Sequence, residues 1–78
     1  MTDLILVESV DSGIVSVTLN RPDRRNALSI DLLEELCSAL QRLAEDRTNR
    51  VVILCGAGPV FSAGLDLREA ADSALVER

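Results

Sequence analysis

Val51-Val52-Ile53-Leu54-Cys55 sets five apolar residues in an unbroken row, closed by Gly56-Ala57-Gly58-Pro59. A strand with one face in water alternates apolar and polar residues, whereas an uninterrupted run ended by glycine and proline reads as a strand covered on both faces, the pattern of parallel sheets. Such a strand needs a layer on each side. One segment upstream is suited to provide a layer. Ser29 is an N-cap residue whose hydroxyl can accept from the free N–H groups of a first helical turn, and Leu28 before it is placed to pack on Leu33 as a hydrophobic staple. Leu33, Leu36, Cys37, Leu40, Leu43 and Ala44 then recur at helical spacing, leaving Asp31, Glu34, Glu35, Gln41, Arg42 and Glu45 for solvent. One amphipathic helix covers one face only, so the chain is expected to be an incomplete domain.

Ahead of the helix, Leu4 to Val10 and Ile14 to Asn20 are apolar-rich runs separated by Asp11-Ser12-Gly13, which predicts a hairpin. In the second run Val15, Val17 and Leu19 alternate with Ile14, Ser16 and Thr18, so that strand is half-buried. Arg21 to Asn26 is a loop, since Pro22 has no N–H to donate to a ladder. From Asp66 onward, Leu67, Ala70, Ala71 and Ala74 predict a short second helix. The order is strand, strand, helix, strand, short helix, an α/β chain. Its 78 residues make one small domain at most, with a core of Leu, Val, Ile and Ala because Phe61 is the single aromatic residue.

Charge narrows the function classes. The formal net charge is −5 and all eight basic residues are arginine, with no basic stripe and no stacking aromatics for a nucleic acid. No apolar run approaches the roughly 18 residues of a membrane span. Met1-Thr2-Asp3-Leu4 shows no basic start of a secretory or transit peptide, and the expected location is cytoplasmic. Cys37 and Cys55, in apolar stretches with no histidine in the chain, are expected to be reduced core thiols.

The segment Phe61-Ser62-Ala63-Gly64-Leu65-Asp66-Leu67-Arg68 is the candidate site. Ala63-Gly64 has little bulk, which lets a ligand approach the backbone, and the first N–H groups of a following helix are free donors for an oxyanion or phosphate. An ordinary strand-to-helix turn would have the same composition. Gly56-Ala57-Gly58 hints at a dinucleotide fingerprint, but Phe61 occupies the third glycine position.

Taken with Arg25-Asn26-Ala27-Leu28-Ser29, the Phe61 to Arg68 segment resembles the linked motifs of the crotonase (enoyl-CoA hydratase/isomerase) family, and the resemblance runs from the first hairpin to Arg68. It implies that residues 1–78 form the N-terminal portion of a crotonase-like domain: the first turn and part of the second of a ββα spiral. It also implies that Leu65 offers its backbone N–H to the thioester carbonyl of an acyl-CoA, with a second donor from a glycine further along in the family. Arg25 and Arg68 would contact CoA phosphates, a task for which guanidinium is well shaped. Solvated surface arginines at positions 21, 24, 25 and 68 are the alternative. Ala27, Ala63, Gly64 and Asp66 would line the adenine and pantetheine path. No separate cofactor or metal is implied, since coenzyme A belongs to the substrate.

Hydration of a double bond needs a positioned acid/base pair. In the family the catalytic glutamates lie later than position 78, and neither Glu34 and Glu35 nor Asp66 and Glu69 take their place. The resemblance thus implies acyl-CoA binding in a fatty acyl-CoA context, with this chain inactive alone. The other reading is a non-catalytic remnant, or a module acting only with a companion chain. Family members form trimers or hexamers.

Overall fold

The computed structural model describes residues 3–68. Three strands form one sheet in the order β1-β2-β3, with β1 at Ile5–Asp11, β2 at Ile14–Leu19 and β3 at Val51–Gly56; a single long helix, α1, spans Ile30–Glu45. The predicted hairpin is present: β1 and β2 run antiparallel, Val7 opposite Val17, with an irregularity between Ser9 and Asp11. After Pro22–Arg24, a single 3₁₀ turn, the chain enters α1 and returns as β3, parallel to β2 with Val17 opposite Leu54. A parallel neighbour requires such a crossover, and α1 is it.

Val15, Val17 and Leu19 are buried on one face of β2 as their alternation predicts, and Leu32 and Ala39 of α1 complete the core. The buried face of the helix is rotated from the expected one. Leu32 and Ala39 are sealed, Leu33, Leu36 and Leu43 are half-buried, and Cys37, Leu40 and Ala44 are exposed. The apolar stripe of α1 is wider than one contact surface; periodicity marks the stripe, but the packing of α1 over β1 selects which edge of it is covered. Cys37 is therefore an exposed thiol rather than a core one, while Cys55 is partly covered.

β3 departs further from expectation. Its apolar run lies at the sheet edge rather than between two layers, and Val51, Val52, Ile53 and Leu54 are each between 40% and 49% exposed. β3 is a strand as expected, but α1 packs chiefly against β1, so the described residues leave most of β3 exposed, with Leu54 sharing an open apolar cavity with Leu33 and Leu36 of α1.

The helix start is built as the sequence indicates. Ser29 Oγ accepts from Leu32 N at 3.1 Å, satisfying one of the four donors left open at a helix start. Ser29→Ala is expected to lower stability by about 1 kcal/mol, read as a shift of the urea midpoint at constant slope; an unmoved midpoint would remove the cap from the account. At the other end, Thr48 donates from both Oγ1 (2.6 Å) and N (3.0 Å) to Asp46 Oδ1. The hydroxyl bond first, and the amide bond second, hold the Asp46 carboxyl below its ordinary 3.8. A depressed carboxyl contributes stability above its unfolded pKa that disappears as pH falls through the folded value. Thr48→Val should move the Asp46 midpoint back up in an NMR titration, and no movement would assign the depression elsewhere.

Among the described residues, no helix is long and apolar enough to cross a membrane. Leu67 and Arg68 have helical backbone, and the remainder of the predicted second helix lies outside the described residues.

Candidate functional site

The loop after β2 and the loop after β3 are woven together by bonds between residues 31 to 45 apart in sequence. Asn26 is the centre of the weave. Its side chain is fully buried, accepts from Arg21 N at 2.8 Å, and donates to the Ala57 and Val60 carbonyls at 2.9 Å each. Its backbone is left-handed, φ 54°, as is that of Arg25 before it. Asparagine tolerates this conformation better than most residues, and the tight turn lets Asn26 N close on Arg21 O at 2.9 Å.

From that centre the 60s loop is pinned point by point. Ala63 N donates to Arg25 O at 2.8 Å, Leu28 N to Gly64 O at 2.7 Å, and Asp66 N to Leu28 O at 3.1 Å. Ser62 Oγ donates to Asn26 O at 2.8 Å and accepts from Gly64 N at 3.0 Å. Leu28 and Leu65 thereby make an isolated parallel bridge. In such a bridge the residue spanned by the two bonds directs its own N–H and C=O the opposite way. The Leu65 N–H accordingly has no acceptor among the described residues. Gly64 adopts φ +88°, where glycine alone is unstrained, and a Cβ placed there would meet open space.

Next to the same loop lies an apolar cavity of about 440 Å³, lined by Leu19, Leu28, Leu33, Leu36, Leu54, Phe61, Ser62 and Gly64, the residue before Leu65.

The charged residues divide into two groups. Arg21 is no solvated surface charge: its Nη1 reaches Asp66 Oδ2 at 3.0 Å and the Ala27 carbonyl at 3.1 Å, with the two ion-pair side chains only 21% and 13% exposed. Asp66 and Ala27 thus serve an internal clamp between the two loops, and Ala27 N is engaged by Arg24 O. Arg25 and Arg68 are exposed and have no acidic partner among the described residues. Arg25 adjoins Ala63 through the backbone bond, whereas among the described residues no hydrogen bond or ion pair joins Arg68 to the other candidates. Asn26 and Ser62 belong to the two motifs, but the sequence alone assigns them no role. The tendency of asparagine toward left-handed backbone and of serine to bond an amide two residues on were the signals available.

This fold superposes on part of the chain of solved enoyl-CoA hydratases. That of Bacillus anthracis superposes with TM-score 0.85 at 43% identity, over 91% of this chain and 28% of the other. That of Mycobacterium tuberculosis gives 0.81 at 48%, over 88% and 31%. Residues 9–77 match the enoyl-CoA hydratase/isomerase family, and the chain belongs to that family. Its relatives catalyse different reactions. A hydroxycinnamoyl-CoA hydratase-lyase of Pseudomonas fluorescens is 43% identical over 77% of this chain. A mitochondrial dienoyl-CoA isomerase of Rattus norvegicus is 37% identical over 91% of it. The chain spans 22% of the length of each of these two curated relatives.

Proposed function

We propose that this chain is an acyl-CoA-binding part of an enoyl-CoA hydratase/isomerase family protein, with Leu65 N–H as a donor to the thioester oxygen. The observation that carries the reading is the Leu65 amide, left without an acceptor among the described residues by the bridge to Leu28, and following directly on Gly64, which lines an apolar cavity. A fixed donor aimed where negative charge develops stabilises an enolate more than the ground-state carbonyl, and one such donor is worth about 3 kcal/mol of transition-state stabilisation. Arg25 and Arg68 are the proposed phosphate contacts, with Ala27, Ala63, Gly64 and Asp66 bordering the adenine and pantetheine path. No cofactor enters beyond the CoA moiety of the substrate itself. The relatives' names include both hydration and isomerisation, so the proposal stops at the enolate common to them.

A second reading has its own support. The exposed apolar run of β3 fits a module that acts only with a companion chain supplying further layers and the acid/base groups.

Calorimetry with butanoyl-CoA tests the binding proposal. Heat beyond that of pantetheine plus adenosine is expected, and Arg25→Ala and Arg68→Ala should each weaken affinity by about tenfold, as expected for a lost charge-assisted phosphate contact. Heat equal to the controls would reject acyl-CoA binding by this chain, and unchanged affinity in both variants would remove the arginines from the site.

A further inference from the structure

The direction of the Leu65 N–H is set by two peptide planes that meet at Gly64. The plane between Gly64 and Leu65 carries the Gly64 carbonyl and the Leu65 amide, which point oppositely in a trans peptide. Leu28 N holds that carbonyl at 2.7 Å. The plane between Ala63 and Gly64 carries the Gly64 amide, and Ser62 Oγ holds it at 3.0 Å while donating to Asn26 O at 2.8 Å. Between the planes is only glycine, at φ +88° with open space around its missing Cβ, so no side chain restrains rotation there. The Ser62 hydroxyl has a second effect: it occupies the Gly64 N–H, so that of two successive amides the one at Leu65 is left without an acceptor among the described residues.

We infer that Ser62 is a positioning residue for the Leu65 amide, its hydroxyl locking the peptide plane before Gly64 and withholding the Gly64 N–H from a bound acyl group. The inference deepens the proposed role of Leu65 and rests on it for its purpose, though the locking itself requires no ligand.

The test is made on the ¹⁵N-labelled chain, first without ligand. In Ser62→Ala the Leu65 amide order parameter should fall from about 0.85 to below 0.6, and Gly64 hydrogen exchange should quicken about tenfold. Ser62→Thr, which keeps the hydroxyl, should restore both. Ser29→Ala, which loses a hydroxyl at the helix cap, should lower stability without moving either quantity. Unchanged order at Leu65 in a folded Ser62→Ala chain would overturn the inference. So would a folded Ser62→Thr chain with a disordered Leu65, which decides the matter should the alanine variant fail to fold. Butanoyl-CoA carrying a ¹³C thioester carbonyl is then added. Carbonyl and Leu65 amide resonances that shift together in the parent chain and respond less in Ser62→Ala support the inference. A parent chain with an ordered Leu65 and no response to the thioester rejects the acyl-CoA reading, while the ligand-free result still judges Ser62.

Discussion

Gly56→Ala is expected to destabilise the chain by about 3 kcal/mol and to displace the loop that carries Leu65. A Cβ at position 56 would stand 2.3 Å from the Phe61 carbonyl oxygen and 2.7 Å from Phe61 Cα. Both are backbone atoms, so no rotamer change relieves the clash and either β3 or the 60s loop must move. Native domains are stable by about 0.05–0.15 kcal/mol per residue, which for 78 residues is roughly 4 to 12 kcal/mol. A loss of about 3 kcal/mol is a large share of that. Gly64→Ala is the informative comparison. There the new methyl meets nothing and only the left-handed backbone is strained, a cost of about 1–2 kcal/mol. Urea unfolding of both variants checks the ordering, and a Gly56→Ala chain no less stable than Gly64→Ala would show that the close approach to Phe61 is not maintained in solution. The same contact explains why Gly56-Ala57-Gly58 is no dinucleotide fingerprint: Gly56 makes room for the chain's own backbone rather than for a pyrophosphate.

Asn26→Ala should be comparably severe. It abandons three hydrogen bonds at once, stranding the Arg21 N–H and the carbonyls of Ala57 and Val60. Each buried group left unpaired costs about 1–3 kcal/mol, and water reaching the loop carbonyls reduces the sum, so about 3–5 kcal/mol is expected. Alanine also suits φ 54° less well than asparagine. Asn26→Gly separates the two causes, because glycine accepts the backbone conformation but restores no hydrogen bond. The glycine variant should therefore recover only about 1 kcal/mol of the loss. Full recovery would locate the penalty in the backbone instead. Asn26 also holds the loop from which Ser62 acts, so loss of butanoyl-CoA binding should accompany the loss of stability.

Local structure was legible in the residues. The β1–β2 hairpin follows from two apolar runs around Asp11-Ser12-Gly13, and the start of α1 from Ser29, because turns and caps are interactions between groups a few residues apart. The candidate loop could be located by its small residues and by its pairing with Arg25-Asn26-Ala27-Leu28-Ser29. The side of α1 that would be buried could not be chosen, since Leu32 and Leu33 are equally apolar and differ only in where β1 happens to lie.

Strand identity, helix boundaries and membership of the enoyl-CoA hydratase/isomerase family thus rest on short-range patterns written in the chain itself. The long-range ties belong to the folded molecule alone: Asn26 to Ala57 and Val60, Arg21 to Asp66, and Leu28 around Leu65. Composition and spacing do not encode which distant carbonyl a buried amide will meet. That pairing exists only once the parallel registry of β2 and β3 has brought the two loops to the same end of the sheet, and it is this arrangement that leaves the Leu65 amide open.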